Sequence, residues 1–252
     1  MRVGITGQNG FIGTHLFNFL NLDKNKFETV QFEDDYFEDQ HLLEEWVTSC
    51  DVIVHLAAMC RHEVLDVVYN TNINLINKLI ASLDKTNTKP HIIFTSSIQE
   101  ELNSEYSKSK KEGRNLLGKW AKENNVPFTG MILPNVYGPL ARPKYASVIA
   151  TFSYQLTHNE ISKIIVDAEL KLIYINDLVK IILQCIINKE NNPNYIVSFT
   201  DQKKVSVILN QLEYYNECYS KYGVMPEINS PFDFNLFNTF KSYIDHPLLP
   251  SK

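Results

Sequence analysis

Tyr106-Ser107-Lys108-Ser109-Lys110 sets a phenol and an ammonium four residues apart. On a helix that spacing is one turn on one face. An ammonium beside a phenol favours the phenolate and lowers its pKa towards working pH. Such a tyrosine can exchange a proton with a carbonyl or alcohol oxygen. Shortly upstream, the apolar run His91-Ile92-Ile93-Phe94 ends in Thr95-Ser96-Ser97. If the run is a strand of a parallel sheet, its carboxyl end lines the ligand crevice. Ser97 can then hold a substrate oxygen while Tyr106 protonates it, and Lys110 can bind ribose hydroxyls and tune the phenol.

A second constellation lies at the start of the chain. Gly7-Gln8-Asn9-Gly10-Phe11-Ile12-Gly13 is GxxGxxG between an apolar run and a helical pattern. Gly7 suits a tight turn, Gly10 lets the backbone approach a pyrophosphate, and Gly13 permits close helix–strand packing. The helix N-terminus adds N–H groups and the positive end of its dipole. About 20 residues past Gly13 stands Glu33, where an acid would accept from a ribose 2′-OH and repel a 2′-phosphate. Glu33-Asp34-Asp35 reads equally well as a solvated turn, so the choice between NAD and NADP stays open.

These groups need an alternating scaffold. Strands are predicted over Arg2–Thr6, Phe27–Phe32, Asp51–Ala58, His91–Ser97 and Val126–Pro134, and helices over Phe11–Leu22, His41–Val47, Asn72–Leu83 and Glu105–Glu123. Strand runs apolar throughout, alternating with helices, specify an α/β Rossmann-like, doubly wound parallel sheet. After Pro134 the rhythm breaks. Helices are predicted over Ser147–Thr157, Asp177–Ile187 and Val205–Tyr215, the last capped by Ser206, with a strand over Tyr195–Phe199 and an irregular aromatic tail from Gly223. This divides the chain into a nucleotide-binding domain, 1–136 plus 174–200, and a small substrate-binding annex, 137–173 plus 201–252.

The 252 residues carry 24 Lys and Arg against 29 Asp and Glu, a net charge of −5, with 44% hydrophobic residues. That composition excludes a disordered chain and lacks the basic footprint of a nucleic-acid platform. Cys50, Cys60, Cys185 and Cys218 are scattered, without metal-like spacing, and read as reduced cytosolic thiols. Neither a signal peptide nor a membrane-spanning run is evident, so a cytoplasmic protein without metal is expected.

GITGQNGFIG, DVIVHLAA, FTSS, YSKSK and LPNVYGP stand in the order and spacing of the extended short-chain dehydrogenase/reductases, the NAD-dependent epimerase/dehydratase type, which the chain resembles. The resemblance implies an NAD(P)H cofactor held by Gly7, Asn9, Gly10, Phe11, Ile12 and Gly13, by Glu33, and by Leu56, Ala57 and Ala58 after the third strand. Asn72 and Pro134 would lie on its nicotinamide side, with Tyr106 and Lys110. Oxidised nicotinamide would further favour the Tyr106 phenolate. Ser97, Tyr106 and Lys110 would be catalytic, and Asn135 would touch substrate.

A narrower resemblance runs through HLAAMCRHE, IIFTSSIQ, LPNVYGPLARPKYASVIATFSYQL, IYINDLVKII and FKSYIDHPLL. These are similar to bacterial capsule and O-antigen reductases of N-acetyl-L-fucosamine-type pathways. It implies reduction of the 4-keto group of a UDP-2-acetamido-2,6-dideoxy-4-hexulose. Members usually continue into a cupin domain that epimerises C3, and His246-Pro247-Leu248-Leu249 stands about where it would begin. C3 exchange within the reductase site is the alternative. The Cys that related enzymes carry after the serine strand is replaced by Ile98, leaving Cys60 or His62 as candidate acid/base, although Cys60 reads more readily as a small buried apolar residue. Many UDP-sugar members have an Arg before the segment that here reads Tyr174-Ile175-Asn176-Asp177. Without it, Arg142 and Lys144 are the candidate diphosphate ligands, with Arg61 and Tyr145 as further substrate contacts; a surface turn around Pro143 reads as well. A 4-epimerase, a 4,6-dehydratase and a non-catalytic dinucleotide sensor are the rivals. Ile98-Gln99 suit elimination poorly, and the intact Ser97, Tyr106 and Lys110 speak against a sensor. Family practice implies a homodimer through the helices at 72–83 and 105–123; Leu116, Leu117 and Trp120 suit that seam and, at least as well, packing on the sheet.

Overall fold

Strands without a polar face must be covered on both sides. In the computed structural model, which describes residues 1–245, six strands form one parallel sheet, the inner ones apolar and the outer β2 and β8 more polar. The stretch His246-Pro247-Leu248-Leu249 of the resemblance lies outside the described residues. The sheet comprises β1 (Arg2–Thr6), β2 (Glu28–Val30), β3 (Val52–His55), β4 (His91–Ser97), β5 (Phe128–Leu133) and β8 (Asn192–Ile196), in the order β2-β1-β3-β4-β5-β8. Strand order reverses at β1, between β2 and β3. A crevice outside the carboxyl ends of β1 and β3 is therefore the place for a ligand.

Four helices connect these strands: α1 (Phe11–Leu20), α2 (Gln40–Thr48), α3 (Leu65–Thr86) and α4 (Glu105–Asn124). Local chemistry sets their ends. The Asp39 carboxylate accepts from the amides of His41 and Leu42 to start α2, and Ser104 Oγ accepts from the Ser107 amide to start α4. Asn87 and Asn125, both left-handed, end α3 and α4. Helix α3 starts seven residues before the predicted Asn72, at a turn where His62 Nδ1 accepts from the Val64 amide. Strand β2 is only three residues long, shorter than predicted, because Phe32 already turns into the core.

Phe32, Trp46, Ile53, Leu79, Phe94, Leu117, Trp120 and Phe128 form one buried cluster between α2, α3, α4 and the sheet, with Leu116 packed against it. The indole of Trp120 donates to Asp84 on α3 at 2.6 Å. Of the two roles expected of these residues, the fold shows packing on the sheet. Leu116, Leu117 and Trp120 serve the core, and α4 exposes Lys108, Lys111, Glu112, Asn115 and Lys119 instead.

The chain folds as two compact units, Met1–Leu133 with Asp177–Val197, and Pro134–Asn176 with Ser198–Lys252. The second holds a three-stranded sheet that the pattern did not disclose: β6 (Asn135–Tyr137), β7 (Glu169–Tyr174) and β9 (Asp201–Lys204), ordered β6-β7-β9. Its helices are α5 (Val148–Thr157), α7 (Val205–Tyr215) and α8 (Pro231–Lys241), while α6 (Ile175–Asn188) leads back to the first unit. Two expectations fail here. Lys204 occupies the α7 cap position, and Ser206 lies inside the helix with its hydroxyl on Asp167. The aromatic tail is not wholly irregular: Ser230 caps α8 and Pro231 opens it. Tyr215, Phe237 and Phe240 bury their rings together there.

Among the described residues no helix is long and apolar enough to cross a membrane. Leu117→Ala should cost about 2–5 kcal/mol by cavity formation. Denaturant unfolding is expected to show that loss equally at low and high protein concentration, whereas a seam residue would give a concentration-dependent loss.

Candidate active site

The turn after β1 is built for close approach. Gly7 has φ +67°, and a Cβ there would sit 2.9 Å from the Cα and amide nitrogen of Ala57. Thus the loops after β1 and β3 touch, and only glycine fits. A Cβ on Gly13 would lie 2.2 Å from the Gly7 carbonyl oxygen, so α1 is held against its own loop. Gly10 differs: its nearest obstacle is the Gly7 oxygen at 3.1 Å, and it caps α1 without a side chain. The amides of Phe11 and Ile12, the first of α1, have no partner within the helix. Beside them the buried Gln8 Oε1 has no partner among the described residues. A small backbone cradle with orphan donors fits a dinucleotide pyrophosphate. Glu33 follows β2 as an exposed acid, hydrogen-bonded by Gln31 at 3.1 Å.

Across the crevice from this cradle in strand order, β4 and α4 bring the proposed proton-handling groups. Ser97 closes β4 half-buried, its Oγ accepting from the Gln99 amide at 3.2 Å. Tyr106 is half-buried in the first turn of α4. One turn further, Lys110 is only 4% exposed, with Nζ 4.4 Å from the centroid of the Phe94 ring. It forms no ion pair among the described residues. Burial pushes its pKa down to about 8, against a smaller opposing pull from Cys60 and Glu100. Phe94 also stacks on His55, with centroids 5.8 Å apart. Complete burial drives His55 down to about 3, and Lys110 acts in the same sense. The neutral imidazole shares a 2.8 Å hydrogen bond with Thr6 Oγ1, which accepts from the Ala57 amide. A neutral histidine and a lysine of lowered pKa thus both contact one aromatic ring.

The loop Leu56–Cys60 is half-buried and continues into exposed Arg61 and His62. Asn72, expected near the nicotinamide, spends its amide otherwise. It accepts from the Met59 amide at 2.7 Å and donates to the Met59 carbonyl and to Ser109 Oγ on α4. It anchors the loop that carries Ala57 and Ala58. His62 Nδ1 is held by the Val64 amide. Cys60 lies within electrostatic range of Lys110.

In the second unit, Pro134 leads into β6, where Asn135 Nδ2 donates to the Lys171 carbonyl at 3.0 Å. Lys144, left-handed at φ +57°, pairs with Glu160 at 2.7 Å and lies over the Tyr154 ring, so its charge is already matched. Arg142 is exposed, with its guanidinium 5.2 Å from the Tyr145 ring centroid and no ion pair among the described residues.

Sequence reasoning missed the strongest electrostatic feature nearby. Arg114 is buried on α4 and forks onto Glu100, Nε to Oε1 at 2.8 Å and Nη2 to Oε2 at 2.7 Å. Residues 106, 110 and 114 fall on one helix stripe, which was the available signal.

Residues 3–198 match the NAD dependent epimerase/dehydratase family. The chain belongs to that family. Over 197 residues it is 32% identical to a UDP-2-acetamido-2,6-beta-L-arabino-hexul-4-ose reductase of Pseudomonas aeruginosa, covering 76% of this chain and 51% of that protein. The chain thus spans about half the length of the curated relative it matches. Among solved structures it is similar to the capsular polysaccharide assembling protein CapF of Staphylococcus aureus, with TM-score 0.79 and 27% identity over 99% of this chain and 68% of that one. RMD of Pseudomonas aeruginosa, solved with NADPH, shares the fold at TM-score 0.78 and 17% identity, covering 96% and 98% of the two chains. Like these epimerase/dehydratase relatives, the chain has a parallel central sheet flanked by helices, the Rossmann-like arrangement.

Lys110 yields a pH test. Its folded pKa lies below the unfolded one, so between about 8 and 10.5 the unfolded chain binds more protons and stability rises with pH. Below pH 8 the cost of burying the charge is complete. Lys110→Met should therefore stabilise the protein at pH 7, by up to about 3 kcal/mol. The gain should shrink as pH rises from 8 to 10.5 in denaturant unfolding. A gain independent of pH would show that Lys110 is not buried as a cation.

Proposed function

We propose that the protein reduces the 4-keto group of a UDP-2-acetamido-2,6-dideoxy-4-hexulose with NADH or NADPH. The observation that carries this reading is Lys110, buried over Phe94 one turn from Tyr106 on a helix that follows the Ser97 strand. Kinship to a reductase of such a sugar nucleotide supports the substrate class.

The residues divide the work as follows. The amides from Asn9 to Gly13 hold the cofactor pyrophosphate, with Gly7, Gly10 and Gly13 keeping the approach open. Leu56, Ala57 and Ala58 wall the dinucleotide. Glu33 receives a ribose hydroxyl, which favours NADH over NADPH. When bound, the reduced nicotinamide supplies hydride to the carbonyl carbon. Tyr106 delivers its phenolic proton to the carbonyl oxygen as negative charge grows there. Ser97 steadies that oxygen by hydrogen bonding. Lys110, with its lowered pKa, stabilises the phenolate that remains and passes on a replacement proton. For the diphosphate we assign Arg142, whose planar fork has no acidic partner among the described residues, ahead of Lys144, which already has Glu160.

A dehydratase would need an acid/base pair just after Ser97. Ile98 and Gln99 are unsuited, and Glu100 is bound to Arg114. Proton exchange at C3, beside the ketone, is a separate step for which Cys60, near Lys110, is the candidate base.

The test offers 4-keto-6-deoxy UDP-N-acetylhexosamines of both C5 configurations, with NADH and NADPH in turn, and follows the product by NMR. Stoichiometric loss of reduced cofactor and an alcohol at C4 are expected; catalytic recycling of bound cofactor would instead mean an epimerase or dehydratase. Tyr106→Phe should lower turnover at least about 100-fold and still bind reduced cofactor. Near-normal turnover in that variant would refute its role. In heavy water, deuterium at C3 that disappears in Cys60→Ala would support the exchange step, and no deuterium in the wild type would sink it.

A further inference from the structure

We infer that Glu100 and Arg114 form a clamp that fixes the Ser97 turn against the helix carrying Tyr106 and Lys110, making both of them positioning residues for the reduction. The inference rests on the reductase reading for its kinetic consequence, and on the geometry of the first unit alone for its existence.

Glu100 sits three residues past Ser97, in the 3-10 turn Ile98–Glu101. Its carboxylate accepts the hydroxyl of Ser96 and both arms of the Arg114 fork. The two side chains are 6% and 10% exposed. Arg114 continues past Glu100, its Nη1 donating to the Pro193 carbonyl at 3.0 Å and to Asn194 Oδ1 on β8. Its stem lies over Gly130 of β5, where a Cβ would come within 2.8 Å of it. The Glu100–Arg114 pair therefore joins the β4 end and the following turn to α4 and β8, with the Arg114 stem packed over β5.

Energetics argue that stability alone does not explain such a pair. Desolvating two charges offsets most of their attraction, and an apolar pair of equal bulk often serves as well. What the fork adds is direction. Two parallel hydrogen bonds fix distance and angle in a way that apolar packing does not. Orientation matters here because Ser97 and Tyr106 come from different elements and must meet one oxygen atom. Misplacement by about 1 Å costs on the order of 100-fold in rate. Glu100 and Arg114 make the buried charged contact between those elements. Burial alone would raise the Glu100 carboxyl, but the Arg114 fork and the Ser96 hydroxyl more than offset it and leave it below its ordinary value. The clamp is thus ionised throughout the neutral range.

The test combines Glu100→Leu with Arg114→Met, so that neither charge is left buried alone. In the full chain, the double variant is expected to unfold cooperatively and to bind reduced cofactor as the wild type does. Its KM for the keto sugar nucleotide should stay within about three-fold, while kcat falls on the order of 100-fold. Arg114→Lys keeps the charge and loses the fork, and should recover part of that kcat. Amide exchange across residues 96–107 should quicken at least ten-fold in the double variant, with β1 and β3 unchanged. A folded double variant with wild-type kcat overturns the clamp, as does unchanged exchange across 96–107. If the double variant fails to fold, Arg114→Lys decides: a lower kcat at constant KM and melting temperature supports the clamp, and unchanged kcat overturns it. A wild type that turns over none of the keto sugars would sink the reductase reading instead, and the exchange measurement, which uses no substrate, still decides the clamp.

Discussion

A lysine ammonium buried without a carboxylate beside it is the constraint around which the first unit is arranged. Lys110 lies under α4 against the face of Phe94, where a ring quadrupole attracts it but does not neutralise it. A carboxylate in contact would hold the lysine charged and satisfied, and leave little of its field for a neighbouring phenol. Here no carboxylate touches it among the described residues, and Tyr106 stands one turn away on the same helix. The arrangement opposes stability, since burying an unpaired charge destabilises the fold. Its persistence therefore points to chemistry rather than to folding.

Sorting of charge follows from that placement. His55, which stacks on Phe94, is driven neutral by burial, so a second cation never competes with Lys110. Glu100 is the nearest buried acid, and Arg114 takes its charge. A neutral imidazole, a lightly held cation and a closed ion pair thus stand in sequence from β3 across β4 to α4. Each is set by burial and by the partner it finds, and the titrating member is the one beside the tyrosine.

Local signals made the nucleotide half legible. Strands β1 and β4 and the start of α4 fall where the pattern puts them. The glycine loop was readable since its requirements are backbone ones, confirmed at Gly7 and Gly13. Elements whose reason is tertiary were not readable. Strands β6 and β9 are short, and β9 is Asp-Gln-Lys-Lys, polar along its length, a strand only because β7 pairs with it. Helix α8 hid in aromatic residues that resemble a loose tail until Tyr215 packs on them. Leu117 and Trp120 have the spacing of a seam and of a core stripe alike, and only the sheet beneath decides. Arg114 shares the helix stripe of Tyr106 and Lys110, but no spacing links it to Glu100, which lies in the turn before that helix.

Why the site needs such contacts follows from where it is. At the carboxyl ends of parallel strands the chain leaves the ladder, and its backbone loses the regular partners that fix strands and helices. Geometry there has to come from side chains. Asn72 holds the loop after β3 by both ends of its amide, Glu100 and Arg114 hold the turn after β4, and Ser104 fixes where α4 begins. None of them is assigned a step in the reaction, yet each governs a segment that carries residues to which the proposal gives one. Such anchors leave the sheet free to be generic while the loops are specific. A chain can keep the glycine cradle and the Ser-Tyr-Lys set and still place them differently, and the difference is written in these few buried polar contacts rather than in the motifs.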